Sequence, residues 1–274
     1  MPLPKRDVAD SLTIVLPAYN EAARIGPALD ELFEYLASHA DDGLPPIVEV
    51  LVVDDGSRDS TAEIVEARPE HGGPAPALRL LRVAHGGKGA AVKAGVLASR
   101  SDLVVFADAD MATPPDQLPK LVAALASADV ALGSRIQPDG SDMRATQPAY
   151  RRFLGAVFHA LASWWVVGDV KDTQCGFKGF TREAGHDLFG RQRITSIVFD
   201  VELIHLARRR GYQVEVVPIS WADRRGSRMR PGPRIAARVA WDLVRIPLLH
   251  RDVRRRVASP AATPTPNPAP APPD

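Results

Sequence analysis

Two runs of apolar, β-forming residues in this chain end abruptly in carboxylates. The first run leads into Asp54 and Asp55, and the second leads into Asp108, Ala109 and Asp110. In an open α/β sheet, ligands lie beyond the carboxyl ends of the strands. Two acidic clusters at neighbouring strand ends therefore predict a carboxylate-lined crevice. Such a crevice suits a divalent cation that carries a diphosphate, which indicates an enzyme that handles a nucleotide.

Strand and helix patterns alternate over the first 135 residues. The predicted strands are Leu12–Leu16, Ile47–Val53, Leu78–Val83, Leu103–Ala107 and Val130–Leu132. This alternation predicts an α/β fold with a single Rossmann-like, doubly wound, mostly parallel sheet and flanking helices. The second half is less regular, with helices predicted at Ala149–Val167, Phe199–Arg210 and Arg234–Leu249 and strands at Cys175–Phe180 and Val214–Val217.

Local signals predict where the helices of the first half begin. Asn20 is predicted to cap a helix that runs to about Ser38. Ser60 and Glu63 have the spacing of a capping box. The glycine-rich turn 85–89 (HGGKG) leads into a helix predicted from about Ala90, and the segment 113–116 (TPPD) opens another.

Composition limits the classes that the chain can belong to. Residues 1–257 are enough for one large domain, and the Pro- and Ala-rich segment Ala258–Asp274 predicts a disordered tail. The net charge of +1 argues against nucleic-acid binding by charge alone. The one cysteine, Cys175, excludes an internal disulfide and fits a reducing compartment. We expect no signal peptide and a cytoplasmic location.

No apolar run is long enough to predict a membrane span. Two segments are nevertheless candidates for peripheral contact with the cytoplasmic face of a membrane: Phe153–Val167, with two tryptophans, and the arginine-rich 234–256. The second places apolar residues at helical spacing, namely Ile235, Val239, Leu243 and Ile246. The alternative is that both are ordinary helices packed on the core.

Three motifs carry candidate chemistry, and each has a structural alternative. Asp108 and Asp110 lie on one side of an extended chain, where their carboxylate oxygens could bind Mg²⁺ or Mn²⁺. The alternative is that they cap the next helix. Asp54 and Asp55 could accept hydrogen bonds from a base or a ribose, or form a tight turn. Lys88, at a helix N-terminus, could meet a diphosphate, or belong to a simple strand-to-helix turn.

Several motifs are absent from the sequence. It has no Walker pattern, no G-x-G-x-x-G, no His-Glu-x-x-His and no G-x-S-x-G. These absences argue against a nicotinamide cofactor, a zinc site and an acyl hydrolase.

Together the motifs resemble those of family 2 glycosyltransferases with the GT-A fold. The resemblance is carried by LTIVLPAYNEAARI (12–25), VVDDGSRDST (52–61), GGKGAAVKAG (86–95) and FADADMATPPD (106–116). In the second half, DTQCGFK (172–178) and FDVEL (199–203) are similar to the polyprenyl-phosphate sugar synthases. Within that group the chain most resembles the dolichyl-phosphate β-glucosyltransferases, with Ala112 where related mannosyltransferases more often have Gln.

The resemblance implies inverting transfer of glucose from UDP-glucose to a polyprenyl phosphate, with Mg²⁺ or Mn²⁺. Residues 10–135 would form the nucleotide-sugar half and residues 136–257 the acceptor half. The implied nucleotide-sugar ligands are Pro17, Tyr19, Asn20, Glu21, Asp54, Asp55, Lys88, Asp108 and Ala109. Asp108 and Asp110 would hold the metal, with Asp110 counted among the catalytic residues.

Cations are expected at the acceptor phosphate, and Arg135 and Lys178 are the candidates, with Arg151 and Arg152 as further ones. Each of these charges could instead be solvated on the surface. Asp200 could orient the acceptor, act as a base or cap a helix. Two alternatives within the family are a GDP-mannose-dependent enzyme and an enzyme that acts on a soluble acceptor. A third alternative is a nucleotidyltransferase, which the sequence 17–21 (PAYNE) fits poorly. A fourth is a non-enzymatic protein that binds a nucleotide sugar.

Overall fold

The computed structural model describes residues 9–39, 42–143, 170, 172–222 and 233–256, without the side chains of 233–237. Several predictions lie outside these ranges. They are the helix Ala149–Val167, the pair Arg151 and Arg152, the interfacial segment Phe153–Val167 and the tail Ala258–Asp274.

Seven strands and seven α-helices make up the described part of the chain. The strands are β1 (Ser11–Ala18), β2 (Ile47–Asp54), β3 (Ala77–Arg82), β4 (Leu103–Ala107), β5 (Val130–Ser134), β6 (Phe177–Thr181) and β7 (Val214–Pro218). The helices are α1 (Ile25–Ser38), α2 (Thr61–Glu66), α3 (Lys88–Ala98), α4 (Leu118–Leu125), α5 (Arg182–Arg191), α6 (Phe199–Arg210) and α7 (Pro233–Leu249). A 3₁₀ turn at Pro115–Gln117 precedes α4.

The strands form one sheet in the order β3-β2-β1-β4-β6-β5-β7. Neighbours are parallel except β6, which is antiparallel to both β4 and β5. Because β6 runs in the opposite direction, its first residues lie at the edge where β4 and β5 end. The predicted α/β fold is confirmed, and β6 brings the segment before Phe177 to the carboxyl edge.

All seven predicted strands are present, with ends that differ by two residues or fewer. The predicted start of α2 at Ser60 is confirmed, but neither Asn20 nor Ser60 caps a helix through its side chain. α1 begins at Ile25, and the Asn20 side chain instead accepts a hydrogen bond from the backbone of Arg58. Ser60 makes no side-chain cap; the carboxylate of Asp59 accepts from the backbone N–H and the hydroxyl of Thr61 instead.

The two faces of the sheet bury two apolar clusters. In β1, Ile14 and Leu16 face the cluster under α1 and α4, while Val15 faces the cluster under α3, α5 and α6. This alternation follows from the two-residue period of a strand. Helices on both faces leave the ends of the strands as the open edges of the domain.

The apolar face predicted for interfacial contact in α7 packs on the core. Leu243 and Ile246 are buried, and Val239 packs against the same cluster. The core-packing alternative therefore applies to this face. The structure describes no helix that is long and apolar enough to cross a membrane.

Candidate active site

The loops after β1, β2, β4 and β5 meet the segment before β6 at one edge of the sheet. This edge is the crevice where an α/β sheet binds its ligand. Most of the predicted site residues lie in these loops, and the others lie in β1, β2, β6 and the first turns of α3 and α6. The order of the strands places the acidic loops after β2 and β4 on either side of β1.

Asp55 organises the glycine-rich turn. It is almost fully buried, and its carboxylate accepts the backbone N–H groups of Gly86 and Gly87 at 2.8 and 2.9 Å. His85 Nδ1 lies 2.8 Å from Asp55 Oδ2. Asp54 is also buried, and its Oδ1 accepts the Ser57 N–H. Both carboxylates therefore shape the two loops beside the crevice.

The loop after β1 is joined to the loop after β2. Pro17 lies in β1, and Asn20 has a positive φ of 54°. The Asn20 N–H donates to the Ser57 hydroxyl, and the Glu21 N–H donates to the Thr61 hydroxyl at 2.8 Å. The exposed ring of Tyr19 stacks on His85, with ring centroids 4.2 Å apart. This pair presents an aromatic surface at the mouth of the crevice.

Asp108 and Asp110 follow β4, with the buried Ala109 between them. Burial raises the pKa of the Asp110 carboxyl, and the neighbouring charge of Asp108 raises it further. The ammonium of Lys88 forms an ion pair with Asp108. Burial alone would lower the pKa of Lys88, but the charges of Asp108 and Asp200 outweigh burial and raise it. The structure thus brings Asp108 and Asp110 together with Lys88, the residue predicted to contact a diphosphate.

Gly176 completes the floor of this cluster. A Cβ atom built at Gly176 would overlap the carboxylate of Asp108. The absence of a side chain therefore lets Asp108 lie against the backbone that precedes β6. Sequence reasoning missed this contact, although Gly176 lies within the motif 172–178.

The residues present fit a hard divalent cation that a diphosphate helps to hold. Carboxylate oxygens are the preferred ligands of Mg²⁺ and Mn²⁺, and Mg²⁺ is commonly bound by one or two carboxylates plus phosphates and water. Within the described ranges, no group of three or more His, Cys, Asp or Glu side chains could hold a metal. Asp108 and Asp110 would therefore supply part of the coordination, and the substrate and water would supply the remainder.

Arg135, just after β5, is locked to Asp172. Its backbone N–H, Nε and Nη2 donate to the two carboxylate oxygens at 2.9, 2.8 and 2.7 Å. Its guanidinium lies over the Trp221 ring, 5.5 Å from the centroid. Burial would lower the pKa of Arg135, but these bonds and the Asp172 charge raise it, so the guanidinium stays charged. Its planar group is fixed at the edge of the crevice.

Lys178 and Asp200 form a buried ion pair, with Nζ 2.6 Å from Oδ1. The Lys178 ammonium also donates to the Cys175 carbonyl. Burial raises the pKa of Asp200, an effect that the Lys178 charge opposes. The prediction of direct contact between Lys178 and the acceptor phosphate does not fit this placement, since Lys178 is 0% exposed. Asp200 lies in the first turn of α6 and makes no helix cap.

Arg24 is a further residue that sequence reasoning missed. Its guanidinium makes two 2.6 Å hydrogen bonds to Glu21. These bonds raise the pKa of Arg24, and the charges of Asp108 and Asp110 add to the effect. Arg24 lies within the motif 12–25, but its proximity to the acidic loop depends on the packing of α1 against the 3₁₀ turn Pro115–Gln117, which the motif does not predict. Glu21 therefore fixes a cation beside the two aspartates.

Cys175 is buried, and burial raises the pKa of its thiol to about 12. The thiol therefore stays protonated near neutral pH and is not a nucleophile.

The fold and the site define an α/β enzyme with an acidic cluster at the carboxyl edge of its sheet. The family described as Glycosyl transferase family 2 matches residues 13–189, and this chain belongs to glycosyltransferase family 2. It is thus an enzyme of glycosyl transfer with the GT-A fold. The resemblance of the motifs to family 2 glycosyltransferases with the GT-A fold is confirmed.

Several relatives are named dolichyl-phosphate beta-glucosyltransferase. One from Trichomonas vaginalis (ALG5C) is 40% identical over 259 residues, which is 92% of this chain and 75% of that protein. The relative from Dictyostelium discoideum is 34% identical, with 86% of this chain and 73% of that protein covered. The human one is 32% identical, with 80% and 70% covered.

A solved structure shares the fold at lower identity. Glucosyl-3-phosphoglycerate synthase from Mycobacterium tuberculosis, in complex with Mn²⁺, UDP-glucose and phosphoglyceric acid, has a TM-score of 0.60 and 22% identity. The match covers 90% of this chain and 81% of that one. At this identity the likeness shows the fold alone.

Proposed function

We propose that this enzyme transfers glucose from UDP-glucose to a polyprenyl phosphate with inversion at the anomeric carbon. An oxygen of the acceptor phosphate attacks C1 of glucose, the bond from C1 to the diphosphate breaks, and UDP leaves with the electron pair. The observation that carries the proposal is the convergence of Asp108, Asp110 and Lys88 at the carboxyl edge. Support also comes from relatives that are named dolichyl-phosphate beta-glucosyltransferase, one of which is 40% identical.

The donor half would bind the nucleotide through the joined loops after β1 and β2. Tyr19 offers an aromatic surface for the base, and its stacking on His85 fixes the ring. Asp54 has lone pairs left to accept a base or ribose hydrogen bond beyond the one from Ser57. These contacts would orient the nucleotide before transfer.

The departing UDP is the group that most needs stabilisation, because negative charge develops on its diphosphate. Asp108 and Asp110 would hold a divalent metal ion, which would neutralise that charge. The M. tuberculosis neighbour was solved with Mn²⁺ and UDP-glucose. Lys88, at the N-terminus of α3, would add a cation and the positive end of a helix dipole. Arg24 would add charge from the other side.

The acceptor phosphate needs positioning more than a strong base, because a phosphate monoester is largely dianionic near pH 7. Arg135 is the proposed contact. Asp172 fixes its guanidinium from one side, which leaves donors for a phosphate on the other. Lys178 would act by holding Asp200, and Asp200 would shape the wall beside Lys88.

Arg135→Ala tests this assignment. The variant should raise KM for the polyprenyl phosphate while the Kd for UDP, measured by calorimetry, stays near the wild-type value. An equal loss in both would contradict an acceptor role.

The decisive experiment is a transfer assay with purified protein, Mn²⁺ or Mg²⁺, and a polyprenyl phosphate in detergent. Labelled UDP-glucose and GDP-mannose are supplied in parallel, and 3-phosphoglycerate serves as a soluble acceptor in a third arm. We expect label in the lipid from UDP-glucose alone, lost with EDTA and with Asp110→Asn. Label from GDP-mannose alone would correct the donor, and label only in phosphoglycerate would overturn the lipid acceptor.

A further inference from the structure

α7 is apolar on two sides. Leu243 and Ile246 face the core, whereas Trp241, Val244 and Leu248 are 64%, 53% and 64% exposed. The spacing of three and seven residues places these three side chains on one side of the helix. That side lies opposite the buried one, so core packing does not account for it. The face predicted from the sequence is the buried one.

Exposed arginines lie before and after this apolar row along the chain. Arg238, Arg251, Arg254 and Arg255 are exposed, and no described carboxylate forms an ion pair with them. Two acids occur between residues 238 and 256, Asp242 and Asp252. Asp242 is buried and bound to Arg245 and Ser196. Asp252 is exposed, but the four exposed arginines outnumber it. They form a basic rim at the two ends of the apolar row.

The segment after α7 is held in place by α6. Arg209 donates to the carbonyls of Arg251 and Val253, and Arg210 donates to the carbonyl of Arg254. These bonds fix the basic rim relative to the helix. The buried pair between Glu202 of α6 and His250, with 2.6 Å between Oε1 and Nε2, anchors the end of α7.

We propose that this face of α7 is a docking surface for an anionic phospholipid bilayer. Tryptophan favours the interfacial region of a membrane, and exposed arginines attract anionic headgroups. An amphipathic helix with both features lies in the plane of the interface.

The same helix is joined to the wall of the active site. The Ser196 hydroxyl donates to Asp242 of α7 at 2.7 Å, and the carbonyl of the preceding Thr195 accepts the Gly89 N–H of the glycine-rich turn. Resting on the proposed function, docking through α7 would bring the crevice to the surface where a polyprenyl phosphate resides. This is a reason to prefer a bilayer to another protein as the occupant.

The test measures co-sedimentation of the full-length protein with vesicles of phosphatidylcholine, with and without phosphatidylglycerol. The vesicles contain no polyprenyl phosphate, so the result is independent of the transfer reaction. We expect binding to the anionic vesicles only, weakened by added salt. The triple variant Trp241→Ser, Val244→Ser, Leu248→Ser should bind the anionic vesicles at least about tenfold more weakly than the wild type, since it removes the apolar row.

The matched control is Ile47→Ser, Leu97→Ser, Val216→Ser, which changes three other exposed apolar side chains. It should bind like the wild type, and circular dichroism should show both variants folded. Equal binding by the two triple variants, or no binding by the wild type, would overturn the proposal. So would concentration-dependent dimerisation in sedimentation velocity that the α7 variant abolishes, because a second copy would then cover this face.

Discussion

Gly176 shows how a single residue can shape the acidic cluster from a distant part of the sequence. A Cβ atom at this position would overlap the Asp108 carboxylate. Gly176→Ala should therefore displace Asp108 and weaken Mn²⁺-dependent UDP binding by roughly tenfold, measured by calorimetry. The control is Gly190→Ala in α5, where a Cβ atom would meet nothing within 4 Å. Unchanged UDP binding in Gly176→Ala would show that Asp108 does not contribute to the metal site.

A second prediction at this scale concerns Lys88, because its ammonium would compete with a metal ion for the Asp108 carboxylate. Lys88→Met should raise the affinity of the nucleotide-free enzyme for Mn²⁺ and lower its affinity for UDP. The gain should be about two- to fivefold, since a partly exposed pair contributes under about 1 kcal/mol. Electron paramagnetic resonance of free Mn²⁺ measures the affinity for the metal, and calorimetry measures the affinity for UDP.

Lys120→Met, in an exposed part of α4, is the control and should change neither affinity. A loss of Mn²⁺ affinity in Lys88→Met would contradict competition for Asp108.

The sequence predicted the acidic residues of the crevice and Arg135, because each lies at the end of a strand whose apolar run is plain in the sequence. They did not predict the partners of those residues. The bonds from Arg135 to Asp172 and the contact between Gly176 and Asp108 join positions 37 and more residues apart. Such contacts depend on the order of the strands, which short-range patterns do not encode.

Among the elements, β6 and α6 are coupled through Lys178 and Asp200. Removing one partner of a buried pair leaves an uncompensated charge and costs about 3–5 kcal/mol. Lys178→Met should therefore lower Tm by roughly 10 °C. The double variant Lys178→Met, Asp200→Leu should recover much of that loss, because no buried charge is left. Calorimetry checks both, and an equal loss in the double variant would contradict the charge argument.

The loss in Lys178→Met should depend on pH. Burial already raises the pKa of Asp200, and without the opposing Lys178 charge the pKa rises further. A carboxyl whose folded pKa exceeds its unfolded value, about 3.9, binds its proton more tightly in the folded state. The stability that this proton contributes is lost as pH rises through the folded pKa. The difference in Tm from the wild type should therefore shrink as pH falls.

The elements themselves were predictable to different degrees. Each predicted strand is an apolar run bounded by turn residues. α5 was missed because REAGHDLFGR contains two glycines and few apolar residues. The antiparallel insertion of β6 between β4 and β5 was missed because strand pairing is a long-range property. β6 begins at the site, directly after Gly176, and carries Lys178.

At the scale of the whole molecule, the proposed lipid acceptor and the proposed docking face of α7 lead to one further prediction. Their contributions can be separated by the form in which the acceptor is offered. In detergent a short-chain polyprenyl phosphate diffuses to the crevice, so the α7 triple variant at Trp241, Val244 and Leu248 should turn over like the wild type. In anionic vesicles the acceptor is reached only from the surface, and kcat/KM should fall about tenfold, in proportion to lost binding. Equal losses in detergent and vesicles would show that the substitutions disturb the crevice through Asp242 and Ser196. Equal activity in both would show that the enzyme reaches its acceptor without this face.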